Sequence, residues 1–286
     1  MKQIQGGVTA AKGFEAAGTA ANIKYKDRMD MALIYSSEPC RAAGTFTTNV
    51  VKAAPVLWDK EIVDNSPYAQ AVVVNAGIAN ACTGKQGIDY CREEAQTASG
   101  LLNIPENAVL VGSTGVIGMQ LPMDRINEGI RKLAAVKDSS LEAGTTASKA
   151  IMTTDTVNKE IAVTIELDGK TVTIGGMSKG SGMIHPNMCT MLAYITTDAA
   201  ISKTLLQEAL SSSIVDSFNM ISVDGDTSTN DTCLVLANGL AGNAEIAEKG
   251  EAYDRFCEAL HFVNTWLAKK MAGDGEGATA LFETTI

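Results

Sequence analysis

The chain has 286 residues, enough for one large domain or two modest ones with an ample core. Its 45% apolar and 20% charged content is an ordinary globular balance. The net charge of −10 argues against nucleic acid and anionic membrane as partners, since both are held by basic patches.

No apolar run approaches the roughly 20 residues of a membrane span. The opening MKQIQGGVTAAKG lacks the apolar core of a signal peptide, so a cytoplasmic location is expected. Six cysteines (Cys40, Cys82, Cys91, Cys189, Cys233, Cys257) show no Cys-x-x-Cys spacing and read as reduced thiols. With only His185 and His261, a histidine-based metal site or a Ser-His-Asp triad is poorly supplied, and any catalytic base must come from elsewhere.

In chain order, residues 6–18 form a glycine- and alanine-rich loop leading to two short strands, Met31–Ser36 and Ala42–Thr48, separated by Glu38 and Pro39. Ala71–Val74 is a short apolar strand running into a loop over 75–84, whose polar side chains suit a plain strand-to-helix turn better than direct ligand contact. A helix is expected from Asp89 to Leu102, from the helical spacing of Tyr90, Ala95 and Ala98. The strand Ala108–Gly112 ends in the small residues Ser113, Thr114 and Gly115. Backbone N–H groups exposed there are what a developing oxyanion needs, although by pattern alone a tight turn is the commoner reading.

Helices follow from Asp124 to about Lys137 and over Leu141–Met152, leading to Thr153, Thr154, Asp155 and Thr156. Asp168-Gly169 between Glu160–Leu167 and Lys170–Ile174 is a strong hairpin signal. The hairpin delivers the chain into Gly175, Gly176, Lys179, Gly180 and Gly182, then Pro186, Asn187, Cys189 and Thr190. The apolar run Met191–Ile195 completes this stretch. A threonine at a loop-to-strand junction is an N-terminal nucleophile if the chain is cut before it, which spacing alone supports only weakly.

A helix from Ser202 or Asp198 to about Phe218 carries the stripe Leu205, Leu206, Ala209, Leu210 and Ile214. The string SVDGDTSTNDT (222–232) holds Asp224, Asp226 and Asn230 but lacks EF-hand spacing, so no metal is expected there. It precedes the strand Cys233–Ala237 and an amphipathic helix over about Gly250–Met271, in which His261 reads as core or surface. Glu276, between Gly275 and Gly277, reads by itself as a solvated turn.

Several of these strings together are specific. KGSGMIHPNMCTMLAYITTDA, with GGVTAAKGF, GTFTTNVVKAAPV, STGVIG, SVDGDTSTNDT and GDGEG in this order, resembles the ornithine acetyltransferase family, the ArgJ proteins. These are bifunctional glutamate N-acetyltransferases and amino-acid acetyltransferases. The likeness runs from Gly6 to Glu283; Cys189 and His185 stand where the family has alanine.

The resemblance implies an α/β fold, a layered αββα sandwich of the ArgJ/DmpA-like, N-terminal-nucleophile type. It implies self-cleavage between Cys189 and Thr190, giving an alpha chain 1–189 and a beta chain 190–286 that form one intertwined catalytic unit. Thr190 is then the nucleophile, Thr114 and Gly115 the oxyanion hole, and Thr153, Lys179, Thr190 and Glu276 the substrate-binding residues. The reaction is ping-pong transfer of acetyl from N-acetylornithine to glutamate in arginine biosynthesis. No metal or bound cofactor is expected, with acetyl-CoA as a possible further donor, and assembly is expected as α2β2. The new α-amine of Thr190, with a reference pKa of about 7.7–8.0, would serve as the general base.

Family members normally continue past the Gly-Glu-Gly string, so this chain is expected to be truncated at its C-terminus. One alternative is therefore an inactive or split scaffold needing a separate C-terminal piece. A second is an N-terminal-threonine amide hydrolase, which would release acetate without N-acetylglutamate. A nucleotide-binding protein built on GGMSKGSG is disfavoured, because that string lacks Walker spacing.

Overall fold

A computed structural model describes residues 1–182 and 191–284. Its strands are β1 (Lys2–Ile4), β2 (Phe14–Thr19), β3 (Met31–Phe46), β4 (Ala69–Ile78), β5 (Val109–Val116), β6 (Lys159–Leu167), β7 (Lys170–Lys179), β8 (Leu192–Thr197) and β9 (Thr232–Ala237). Its helices are α1 (Ala54–Asn65), α2 (Lys85–Leu102), α3 (Met123–Val136), α4 (Leu141–Ala150), α5 (Lys203–Val215) and α6 (Glu251–Gly273).

The two strands expected around Glu38 and Pro39 are one strand, β3, and it belongs to two sheets. Met31–Tyr35 pairs with β2 and β4, and Arg41–Phe46 pairs with β9, with a register shift between Tyr35 and Cys40. Residues 37–39 are exposed at that shift, so Pro39, which has no N–H, sits where it breaks no buried ladder. One sheet runs β1-β6-β7-β8-β9-β3, and the other adds β4 and β5 to β3, with β2 on its opposite edge.

Side-chain alternation along the strands builds the layers. Ala32, Ile34, Val72, Val74 and Leu110 meet Met177, Leu192, Tyr194, Leu234 and Leu236 between the sheets. The alternate residues Met31, Leu33, Ala71, Val73 and Val109 face Ala95, Ala98, Ile126, Ile130 and Leu133 of α2 and α3. On the far side, Val163, Ile174, Ile195 and Val235 pack against α5 and α6 through Leu206, Leu210, Phe256, Leu260 and Val263. The result is the expected helix–sheet–sheet–helix sandwich. Tyr194 crosses the middle layer to reach β5, and any side chain at Gly112 would collide with its hydroxyl.

The hairpin signal is realised: Asp168 and Gly169 both adopt positive φ, 51° and 70°, between β6 and β7. β8 lies antiparallel to β7 and parallel to β9. The chain on either side of residues 183–190 therefore forms adjacent strands. Among the described residues no helix is long and apolar enough to cross a membrane.

Candidate active site

β4 and β5 run parallel, with Ala76 opposite Thr114 and Gly77 opposite Gly115. The expected Ala108–Gly112 strand thus continues through Thr114 and Gly115 rather than turning before them. Gly115 takes φ 131°, and a Cβ there would run into the backbone of Gly77, so this close pairing requires glycine on β5. Within 75–84, Asn75 donates to the Ile78 carbonyl at 2.8 Å and Asn80 to that of Gly87 at 3.0 Å. The polar side chains thus serve the backbone, as the sequence suggests, while Ala76, Gly77 and Ala79 still line the cavity at this end of the sheet.

That cavity, of about 580 Å³, is lined by Thr114, Gly115, Thr153, Lys179 and Glu276. Five expected site residues, from widely separated parts of the chain, therefore line one cavity. Cys189 and Thr190, with His185, lie outside the described residues. The cavity wall reaches Gly182, the last described residue before them.

Lys179 ends β7 and is buried, 2% exposed. Its Nζ donates to Thr114 Oγ1 at 3.4 Å and lies 3.9 Å from Asp155 Oδ2. Burial lowers the Lys179 pKa, with help from the Lys159 charge, against the opposing pull of Asp155, Asp231 and Glu276.

Thr153 sits on the loop after α4. Its N–H donates to Asp155 Oδ2 at 3.1 Å, and its carbonyl accepts from the Arg28 guanidinium at 2.5 Å. Thr154 and Ser181 share a hydroxyl hydrogen bond of 2.7 Å, and the Glu276 N–H donates to the Ser181 carbonyl at 2.7 Å. The Glu276 carboxylate packs directly on Gly182: a Cβ there would lie 2.8 Å from Oε1.

Beneath these loops runs a chain of buried charges that the sequence does not announce. Lys159 Nζ bonds Asp155 Oδ1 at 2.8 Å and Asp274 Oδ2 at 2.6 Å. Asp155 also accepts the Gly180 N–H at 2.7 Å, and Asp274 accepts the N–H and hydroxyl of Thr156. Burial works to raise both carboxyls, but the lysine charges and hydrogen bonds outweigh it and hold both below the usual carboxylate range.

The SVDGDTSTNDT string lines the same cavity, through Asp224, Asp226 and residues 227–230. Asn230 donates to the carbonyls of Ala79 (2.6 Å) and Ser113 (2.8 Å), fixing the string to the ends of β4 and β5. Asp231 Oδ1 accepts the Met191 N–H at 3.0 Å. Among the described residues no group of three or more His, Cys, Asp or Glu is placed to hold a metal ion. His261, on α6, contacts Thr265 at 3.3 Å and does not line the cavity.

A model of the ArgJ family matches residues 15–286. The arginine biosynthesis bifunctional protein ArgJ of Thermotoga neapolitana is 52% identical over 276 residues, covering 96% of this chain and 68% of that protein. The protein of the same name from Symbiobacterium thermophilum is 53% identical over 288 residues, covering 100% of this chain and 71% of its own length. Among solved structures, arginine biosynthesis bifunctional protein ArgJ from Bacillus halodurans aligns with TM-score 0.62 and 44% identity over 66% of this chain and 97% of that one. Ornithine acetyltransferase from Mycobacterium tuberculosis, complexed with ornithine, aligns with TM-score 0.58 and 36% identity over 65% of this chain and 96% of that one. The Ochrobactrum anthropi L-aminopeptidase D-Ala-esterase/amidase, a variant of the Ntn hydrolase fold, shares the fold at 13% identity, TM-score 0.56, over 95% of this chain and 87% of that one.

Proposed function

The chain belongs to the ArgJ family, and from that premise we propose that it moves acetyl from N-acetylornithine to glutamate in arginine biosynthesis, with Thr190 as nucleophile. The observation that carries this reading is the shared cavity of Thr114, Gly115, Thr153, Lys179 and Glu276, whose wall reaches Gly182. Met191, the residue after Thr190, is held at its amide by Asp231, on the string that lines the same cavity.

Maturation is self-cleavage. Thr190 Oγ attacks the Cys189 carbonyl carbon, the peptide C–N bond breaks, and the hydroxyl proton ends on the nitrogen. Water then hydrolyses the ester, leaving a free α-amine on Thr190 and a carboxylate on Cys189. The products, 1–189 and 190–286, stay together as one intertwined unit. β8 of the second fragment pairs with β7 of the first, and β9 pairs with β3. Two such pairs make the α2β2 assembly proposed from the family.

In the transfer, the Thr190 amine takes the Oγ proton, and Oγ attacks the acetyl carbonyl of N-acetylornithine. The developing oxyanion meets Gly115 and the Thr114 hydroxyl. Because Lys179 donates to Thr114 Oγ1, the threonine's own O–H remains free for that oxyanion. Collapse returns the proton to the leaving nitrogen and frees ornithine. The amine of glutamate then attacks acetyl-Thr190 by the reverse sequence. Lys179 and Thr153 hold the amino-acid carboxylate and backbone, and Glu276 pairs with a substrate amino group. Acetyl-CoA is a second proposed donor, because acetyl-Thr190 is the same species whichever donor supplies it; no bound cofactor is needed.

The test is direct. Purified wild type migrates as two fragments and gives parallel lines in two-substrate initial-rate plots, while Thr190→Ala stays whole and inactive. Intersecting lines count against the acetyl-enzyme, and acetate released without N-acetylglutamate identifies a hydrolase instead.

A further inference from the structure

Asp274, Lys159, Asp155 and Lys179 form an alternating row of charges, with successive nitrogen–oxygen separations of 2.6, 2.8 and 3.9 Å. The side chains of Asp155 and Lys159 are fully buried, and those of Lys179 and Asp274 are 3% and 5% exposed. Two negative and two positive charges cancel, so the row brings no net charge into the interior. A buried row of this kind is a poor source of stability, since apolar residues of similar volume often serve as well. What it supplies is position.

Asp155 and Asp274 stand two residues from the cavity-lining Thr153 and Glu276, and Lys179 lines the cavity itself. Asp155 holds the amides of Thr153 and Gly180. Asp274 follows the last turn of α6, donates its own N–H to the Met271 carbonyl at 3.1 Å, and stands two residues before Glu276. It also accepts the Thr156 amide at 3.0 Å and the Thr156 hydroxyl. Lys159, at the start of β6, joins the two carboxylates. The loop that carries Glu276 is thereby tied to the loop that carries Thr153, on a rigid strand.

We propose that Lys159 and Asp274 are positioning residues that act through Glu276, fixing its carboxylate relative to Thr153 and so setting the geometry with which the cavity holds an amino-bearing substrate. The assignment rests on the acetyl-transfer reading for its kinetic readout. Neither residue lines the cavity. Their effect is on how well Glu276 is aimed, which enters binding and not the bond-making step.

The experiment is a double-variant cycle with Asp274→Asn, Glu276→Gln and the combined variant, measured as KM and kcat for N-acetylornithine. Asp274→Asn keeps an acceptor for Thr156 and nearly the same shape, and so preserves the fold better than Lys159→Met. Asp274→Asn is expected to raise KM about tenfold with kcat within about twofold. In the Glu276→Gln background the same change is expected to add little, because the group it aims is already gone. Equal KM effects in both backgrounds, or a fall in kcat alone, would overturn the proposal. A second readout does not depend on turnover: hydrogen exchange at the Glu276 amide, which donates to Ser181, is expected to be faster in Asp274→Asn than in wild type. Unchanged exchange would overturn the proposal even if the wild type transfers acetyl. Faster exchange in a protein that transfers no acetyl would support it while removing the acetyl-transfer reading.

Discussion

The amide of Met191 donates to the carboxyl of Asp231 at 3.0 Å, and its carbonyl accepts the Thr232 N–H at 3.1 Å. Residue 191 is thus gripped on both sides of its backbone. If the chain is cut before Thr190, as proposed, covalent continuity no longer holds that residue from its N-terminal side, and the grip on Met191 restrains its remaining chain neighbour.

Asp231→Ala is therefore expected to slow acetyl transfer by about 10²-fold, the scale of a displaced nucleophile. Asp231→Asn should retain most of the rate. Burial pushes the Asp231 carboxyl well up, and asparagine keeps its shape while still accepting the Met191 amide. Initial rates and a time course of fragment formation check both variants. Equal loss in the two would show that the accepted hydrogen bond is not what matters.

Thr114 is expected to act in the transition state through its hydroxyl, which Lys179 leaves free to donate. Thr114→Val should lower kcat by about 10²–10³ with little change in KM, and Thr114→Ser should restore most of it. A rise in KM at constant kcat would move Thr114 from oxyanion stabilisation to substrate binding.

A stability prediction lies far from the cavity. Glu94 of α2 is completely buried, and neither carboxyl oxygen has a hydrogen-bond partner. Burial, then the charges of Asp59 and Glu93, push its pKa well up. A carboxyl raised in the folded state contributes its stability below the unfolded value, about pH 4.3, and loses it as pH rises toward the folded value. Glu94→Met should therefore stabilise the protein at pH 7, by about 1–3 kcal/mol, and by less at pH 4. Asp155 and Asp274 run the other way. Their lowered values give stability above about pH 3.9 that is lost as pH falls through the folded values. Urea unfolding at both pH values checks the Glu94 variant; equal gains would contradict the assigned sign.

Local chemistry made much of the architecture legible. Asp168-Gly169 marked its hairpin, Ser202 caps α5 by accepting the Leu205 amide, and the apolar stripe of α6 is buried as its spacing required. Helix α1 went unread, because Ala54 and Pro55 look extended in isolation, although proline fits the first turn of a helix. Helix α2 begins at Lys85 rather than Asp89, and β4 and β5 run on into the small residues that sequence assigned to turns. Those extensions come from pairing between strands, which no single segment encodes.

At the site, the strings carrying Thr114, Lys179 and Glu276 were specific enough to pick out. Asp155 and Lys159 were not, since a carboxylate four residues before a lysine is ordinarily a solvated pair. Only the fold brings Asp274 to them from 115 residues away and removes all three from water.

An acetyl group carried on Thr190 is the species that defines the proposed reaction. Purified protein incubated with N-acetylornithine alone, then analysed by mass spectrometry, should contain a fragment beginning at Thr190 that carries one added acetyl group, and glutamate should remove it as N-acetylglutamate appears. An uncut chain that makes N-acetylglutamate at full rate, or a fragment never acetylated while transfer proceeds, would contradict it.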